Sequence, residues 1–295
     1  MTESAPIGFF RRGSPRGRNY TRLRGFVEAA LRVAYRGDWP AAVYGLFPRS
    51  RQIRRVHMEL PLLRHGPRVR LGFVSDVHLG PTTAPHTARE AFALLAAAEL
   101  DVLLLGGDYV FLEATRLRAA CLQELVASVP ARHKLAVMGN HDLWTDHGIL
   151  EDALAAAGAT VLVNESVQCA GITVVGLDDP WTGRRDPETP FRPVAGTTSA
   201  ATIVLCHAPE ALPWVAHHPV DLYLCGHTHG GHVAMPWGPV VVPGHVGRMY
   251  HAGFYPEALG KRLFVSRGVG GIELPLRTYA PPDVLILDLV PISRA

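Results

Sequence analysis

Five β-rich runs of this chain each end on residues that can bind a metal, and this repetition narrows the possible folds more than length does. FVSDVHLG closes the run Val69–Ser75 with Asp76 and His78. LLLGGDYV closes Asp101–Leu105 with Asp108, and AVMGNHD closes Leu135–Met138 with Asn140, His141 and Asp142. IVLCHAPE closes Thr202–Cys206 with His207, and LYLCGHTHGG closes Asp221–Cys225 with His227 and His229. Taken singly, such residues have ordinary explanations: an Asp at a strand end caps a helix, a His makes a structural hydrogen bond, and GD or GN is turn chemistry. Five in order do not arise from turn statistics. In open α/β sheets, ligands gather beyond the carboxyl ends of the strands.

The intervening segments agree. Helical stretches over Ala88–Ala98, Arg116–Ala127 and Ile149–Ala157 alternate with the first three runs. A hairpin over Thr160–Asn164 and Ile172–Gly176 follows, then a short helix after Pro209 and mainly β sequence at Val240–Val242, Leu263–Ser266 and Val284–Leu289. Strand–helix alternation followed by strands predicts an α/β body with a mixed sheet. No stretch approaches the ~18 apolar residues of a membrane span. Cys121, Cys169, Cys206 and Cys225 lack CxxC spacing and read as reduced core thiols.

Asp76-x-His78 and His227-x-His229 read as pairs projected from extended turns, because residues two apart share a face in β geometry. Gly107, Gly139 and Gly226 remove side chains where the backbone must turn. Asp76, His78, Asp108, Asn140, His207, His227 and His229 are too many donors for one tetrahedral site. They suit two divalent metal ions about 3.5–4 Å apart, bridged by a carboxylate such as Asp108. Imidazole and carboxylate donors without Cys favour manganese, iron or zinc.

The first part of the chain differs in kind. Residues 1–70 hold fifteen Arg and no Lys against Glu3, Glu28, Asp38 and Glu59, whereas the remainder holds 14 basic and 22 acidic residues. Such asymmetry points to an acidic partner for the basic part. Arg11-Arg12 is followed by charged sequence rather than the apolar stretch of an export signal. Residues 1–65 read as an Arg-rich extension, and 66–295 as the catalytic domain. Within the extension, Leu23, Phe26, Val27, Ala30, Val33 and Ala34 recur at helical spacing opposite Arg24, Glu28 and Arg32. Thr21 is the expected cap and Gly37 the stop, and RSRQIRR adds a basic cluster at 49–55. Two arrangements are open: residues 21–55 lie on an anionic membrane surface with Arg toward the headgroups, or the helix docks on the body with its Arg solvated. Nucleic acid is disfavoured as a partner, because no aromatic-interleaved binding motif is present.

SDVHLG, GGDYV, GNHD, CHAPE and GHTHGG, in that order, resemble the calcineurin-like metallophosphoesterases. The resemblance spans about residues 69–290. GGDYV and VSRGVGGIELPLRTYAPPDV are most similar to a bacterial, membrane-associated phosphodiesterase branch. It implies a four-layer α-β-β-α sandwich with mixed sheets and a dinuclear centre at one edge. Carried over residue by residue, it implies one metal on Asp76, His78, Asp108 and His229 and a second on Asp108, Asn140, His207 and His227. His141 would be the acid facing the phosphate, with Asp142 orienting it. Many relatives have a further Asp three residues after GD, where this chain has Phe111; after GHTHGG relatives often have Gln, where this chain has His232.

The implied reaction is phosphoester hydrolysis by a hydroxide activated between two metals, most directly on a phosphodiester. A membrane-borne or lipid substrate is one expectation, with the chain cytoplasmic at the inner face of the membrane. Pyrophosphatase action on a nucleotide-sugar lipid such as UDP-2,3-diacylglucosamine, nuclease action and a non-catalytic scaffold are the alternatives. No P-loop is present. Arg184 and Arg185, in the loop 178–198, are candidate substrate-binding residues. Trp237, Tyr250, Phe254 and Tyr255 are candidates for an apolar surface beside the metals.

Overall fold

The computed structural model describes residues 20–46, 52–194, 196 and 198–293. The Arg-rich first nineteen residues, and Arg49 and Arg51 of the basic cluster, lie outside these. The elements are α1 (Arg22–Ala34), α2 (Trp39–Tyr44), β1 (Arg54–Leu63), β2 (Val69–Val74), α3 (Pro85–Ala96), β3 (Val102–Leu105), α4 (Arg116–Ala127), β4 (His133–Ala136), α5 (Asn140–Leu143), α6 (His147–Ala156) and β5 (Ala159–Val161). They continue with β6 (Glu165–Cys169), β7 (Ile172–Gly176), β8 (Thr202–Leu205), β9 (Leu222–Cys225), β10 (Ala234–Met235), β11 (Gly238–Pro239), α7 (His245–Met249), β12 (Gly253–Ala258), β13 (Lys261–Val265) and β14 (Asp283–Pro291). A 3₁₀ segment, Pro209–Val215, stands where a short helix was expected.

Two six-stranded mixed sheets form the centre, in the orders β1-β14-β2-β3-β4-β5 and β12-β13-β9-β8-β7-β6. Successive strand side chains point to opposite faces, which sorts the apolar runs into layers. Leu103 and Leu105 face α3, α4 and α6, where they pack with Phe92, Leu122 and Leu150. Val102 and Leu104 face the second sheet and meet Leu205, Leu224 and Phe264. On the far side of that sheet, Val204, Tyr223 and Cys225 pack on Leu212, Val215 and Val246. The order is therefore helices, sheet, sheet, short helices. Cys169, Cys206 and Cys225 are buried and Cys121 half-buried, all as free thiols.

Three expectations are corrected. Residues 54–63, assigned to the extension, form β1, which pairs in parallel with β14 at the edge of the first sheet. The hairpin is β6 with β7, while residues 159–161 join β4 in the other sheet; Ala170-Gly171, both at positive φ, supply the tight turn between Cys169 and Ile172. Val240 and Val241 are not in a strand and are 61% and 72% exposed.

The helix α1 has its expected Thr21 cap, with the hydroxyl accepting from Arg24 N at 3.1 Å. The helix docks on the body, as one of the two arrangements had it, but through Arg24 and Arg32, which that arrangement left solvated. Glu28 is buried, taking hydrogen bonds from the Tyr20 hydroxyl (2.8 Å) and Arg24 Nε (3.0 Å). Arg24 also pairs with Glu273, and Arg32 pairs with Glu113 and donates to Leu112 O. The body beneath α1 thus offers carboxylates and a carbonyl, so the charged face docks. Leu23, Phe26 and Val33 are left 72%, 73% and 79% exposed.

Candidate metal centre

The chain leaves β2, β3 and β9 through left-handed turns. Asp76, His78, Asp108, His227 and His229 all have positive φ, between 46° and 69°. This corrects the extended-turn expectation: the donors converge because the backbone reverses, not because they alternate along a strand. A non-glycine residue in this region costs on the order of 1–3 kcal/mol and persists where surrounding contacts over-determine it. Those contacts are present. Asp76 N donates to Gly107 O (2.9 Å) and His78 N to Asp108 O (3.0 Å). His227 N donates to both Asp76 carboxylate oxygens, at 3.1 and 3.0 Å. A Cβ at Gly139 would strike the Asp108 carboxylate, and one at Gly226 the Asp76 carboxylate.

The donors form two groups, Asp76 with His78 and His229, and Asp108 with His207 and His227. Asp108 Oδ2 lies 3.6 Å from His78 Nε2 and 3.2 Å from His207 Nε2, so it stands between the groups. Imidazole nitrogens approach each other at 3.1 Å in both, His78 with His229 and His207 with His227. Asn140 Oδ1 is buried without a hydrogen-bond partner among the described residues, and a buried acceptor in that state is costly. Converging lone pairs, two buried carboxylates and an orphaned amide oxygen fit divalent cations.

Electrostatics agree with a site built for positive charge. Burial opposes ionisation of Asp76, but His229 and His207 hold its pKa below the ordinary value. Asp108 is held well below by His207 and His141 against the same burial penalty. Burial lowers His78 to about 4 and His227 to about 3, which keeps them neutral. His207 is also opposed by burial, yet the Asp108 carboxylate raises it well above the usual imidazole value.

His141 follows Asn140 in α5, and its ring is caged by His78, Phe111 and Trp144 at 5.0, 5.5 and 4.8 Å between centres. Phe111, where relatives often carry Asp, therefore gives His141 an apolar wall. Asp142 does not face the ring. Its carboxylate accepts from the backbone N–H groups of Asp108 (2.8 Å), Gly139 (3.0 Å), Tyr109 (2.8 Å) and Val110 (3.3 Å), clamping the β3 turn to α5. Burial raises its pKa to about 8, with Asp108 adding to the shift and these donors opposing it. His232 Nε2 donates to Leu274 O at 2.8 Å and ties two rim segments together.

A cavity of about 560 Å³ opens over Asp108, Asn140 and His141. Trp144, Trp181, Val240, Val241, Ile272 and Leu274 make its walls largely apolar. Arg184 and Arg185 do not line it: Arg184 faces Asp186, and Arg185 stacks over Trp214 at 4.8 Å. Nor do Trp237, Tyr250, Phe254 and Tyr255. Tyr250 and Tyr255 instead pack against each other at 5.0 Å. Two arginines absent from the expected set are present. Arg24 lines the cavity. Arg277, buried, donates to His229 Nδ1 (2.9 Å) and to the carbonyls of Gly270, Arg267 and Ala280.

The chain matches the calcineurin-like phosphoesterase family over residues 69–231. It is 33% identical over 227 residues to phosphodiesterase YaeI of Escherichia coli K12, covering 74% of this chain and 81% of that protein. Identity to the uncharacterized metallophosphoesterase YkuE of Bacillus subtilis 168 is 29% over 232 residues, covering 73% and 77%. Among solved structures, a dimetal phosphatase from Danio rerio aligns with TM-score 0.45 and 13% identity, over 69% of this chain and 88% of that one.

Proposed function

The chain belongs to the calcineurin-like phosphoesterase family and is a dinuclear phosphoester hydrolase; from this premise we propose that it is a phosphodiesterase acting on a membrane-associated substrate. In this reading Asp76, His78, Asp108 and His229 hold one divalent cation, and Asp108, Asn140, His207 and His227 hold the other. The observation that carries it is the pair of donor groups meeting at Asp108, with Asn140 Oδ1 buried and without a partner among the described residues. When bound, two such cations neutralise phosphate oxygens and acidify the attacking water. Manganese is one cation the donor set accommodates, as are iron and zinc.

His141, whose pKa burial holds well below the ordinary imidazole value, donates a hydrogen bond to the leaving oxygen, which departs poorly as a bare alkoxide. Its ring cage limits rotation and leaves the cavity as its open side. Asp142 acts on the site by holding the turn that carries Asp108. The apolar walls exclude water and receive the organic part of the substrate. The similarity to a protein named a phosphodiesterase supports a diester. The exposed apolar stripe of α1, on the element that carries Arg24 into the cavity wall, supports a membrane surface nearby. Among the described residues no helix is long and apolar enough to cross a membrane.

The test is reconstitution of metal-stripped protein with manganese, iron or zinc, followed by assay on bis-p-nitrophenyl phosphate and p-nitrophenyl phosphate. We expect about two ions per chain and metal-dependent hydrolysis that is faster on the diester. Metal-loaded protein that releases no p-nitrophenol from either compound would refute the reading.

A further inference from the structure

The family match begins at residue 69, yet helix α1 supplies part of the cavity wall through Arg24. The Arg24 guanidinium stands 5.0 Å from the Trp144 ring centre, and Trp144 stands 4.8 Å from His141. Nε pairs with Glu28 at 3.0 Å and Nη1 with Glu273 at 2.6 Å. Nη2 is buried and has no hydrogen-bond partner among the described residues. A charged donor in that state gains from any anionic oxygen brought to it. Glu28 is 2% exposed and fixed from several sides, whereas Glu273 is 38% exposed and is the carboxylate an incoming anion can displace. Among the described residues that line the cavity, Arg24 is the one Arg or Lys. The wall around it is apolar, with Val240, Val241 and Leu274 exposed at the mouth.

Resting on the phosphodiesterase reading, we infer that Arg24 is a specificity-determining residue. It receives a second anionic group, carried on the organic substituent of the diester, one ring's breadth beyond the scissile phosphate. The substrate class is therefore a phosphodiester whose apolar or aromatic substituent bears a carboxylate or a further phosphate. A planar guanidinium suits either, since both present paired oxygens to its fork.

The experiment compares p-nitrophenyl phenyl phosphate with p-nitrophenyl 4-carboxyphenyl phosphate, which share a leaving group and differ by one carboxylate. In the metal-loaded wild type, kcat/KM is expected to favour the carboxylated ester by about tenfold, mostly through KM. Arg24→Ala removes the preference, Arg24→Lys keeps part of it, and Glu273→Gln, by releasing Nη1, enlarges it. The readout is the ratio of the two esters within each variant, so a general loss of activity cancels. Calorimetric affinities for phenylphosphonate and 4-carboxyphenylphosphonate should follow the same order. Equal kcat/KM on the two esters in the wild type, a preference that survives Arg24→Ala, or an unchanged ratio in Glu273→Gln overturns the assignment. A wild type that cleaves neither ester overturns the phosphodiesterase reading instead.

Discussion

The Asp142 carboxylate takes four backbone N–H groups out of solvent, all at turns that carry candidate metal donors or their neighbours. Asp142→Ala strands those donors, and at about 1–3 kcal/mol for each buried unsatisfied group the variant should lose at least about 3 kcal/mol in urea unfolding. His141→Ala removes a side chain with no such duty. It should lower kcat by about 10²–10⁴-fold with metal content unchanged by elemental analysis. Loss of both ions in that variant would remove His141 from the acid role. Asp108→Ala, by contrast, should empty both sites, because its carboxylate stands between the two donor groups. The seven candidate donors were legible because they follow five β runs, each within a few residues of its end. Asp142 was misread because neighbours in sequence on a helical turn do not face each other. Arg277 and Arg24 left no local signal: one meets His229 across 48 residues and the other Glu273 across 249.

At the scale of elements, α1 shows why amphipathic spacing alone does not say which face is inside. The period was legible in residues 22–34, but the docking partners, Glu113, Glu273 and Leu112 O, are supplied by distant loops. The outward stripe carries a prediction. The full-length protein should co-sediment with phosphatidylglycerol vesicles, and the double substitution Leu23→Asp, Phe26→Asp should abolish this while cleavage of bis-p-nitrophenyl phosphate persists. Vesicle binding indifferent to those changes would locate the membrane contact elsewhere. β1 escaped notice for a different reason: Val56, Met58 and Leu60 alternate with His57, Glu59 and Pro61, but the run begins inside a basic cluster and contains a Pro. It is held by β14 and by charge, since Asp288 on β14 bonds Arg70 Nε (2.8 Å) and His57 (2.9 Å). The Arg70 hydrogen bonds hold the Asp288 carboxyl at about 2, against an ordinary 3.8. A depressed carboxyl stabilises the fold above its unfolded pKa and loses that contribution as pH falls toward the folded value. Asp288→Asn should therefore cost about 2 kcal/mol near neutrality, because the carboxylate is buried against a half-buried Arg70. The difference from wild type should shrink between about pH 4 and 2.

For the whole molecule, both donor groups lie where the turns after β2, β3, β8 and β9 meet, so the two sheets are joined by whatever binds there. A cation that binds only the folded chain adds about 2.7 kcal/mol per site at a hundredfold excess over Kd. Chelation should lower Tm by several degrees, and readdition should restore it; a Tm indifferent to both would mean the centre forms without metal. The α/β class was legible from the alternation of runs and the layer order from the family resemblance, whereas the strand order was not, because β14 inserts between β1 and β2 from the other end of the described chain. That insertion bears on how the protein is made. While a ribosome is still elongating the chain, β1 has no partner to pair with, and the helix tethered before it has no anchored strand at its back. Synthesis must run past residue 291 before the first sheet closes, and Glu273, the partner of Arg24, also emerges late. Nascent chains should therefore be unable to position Arg24, and substrate selection should begin only after translation of these segments is complete.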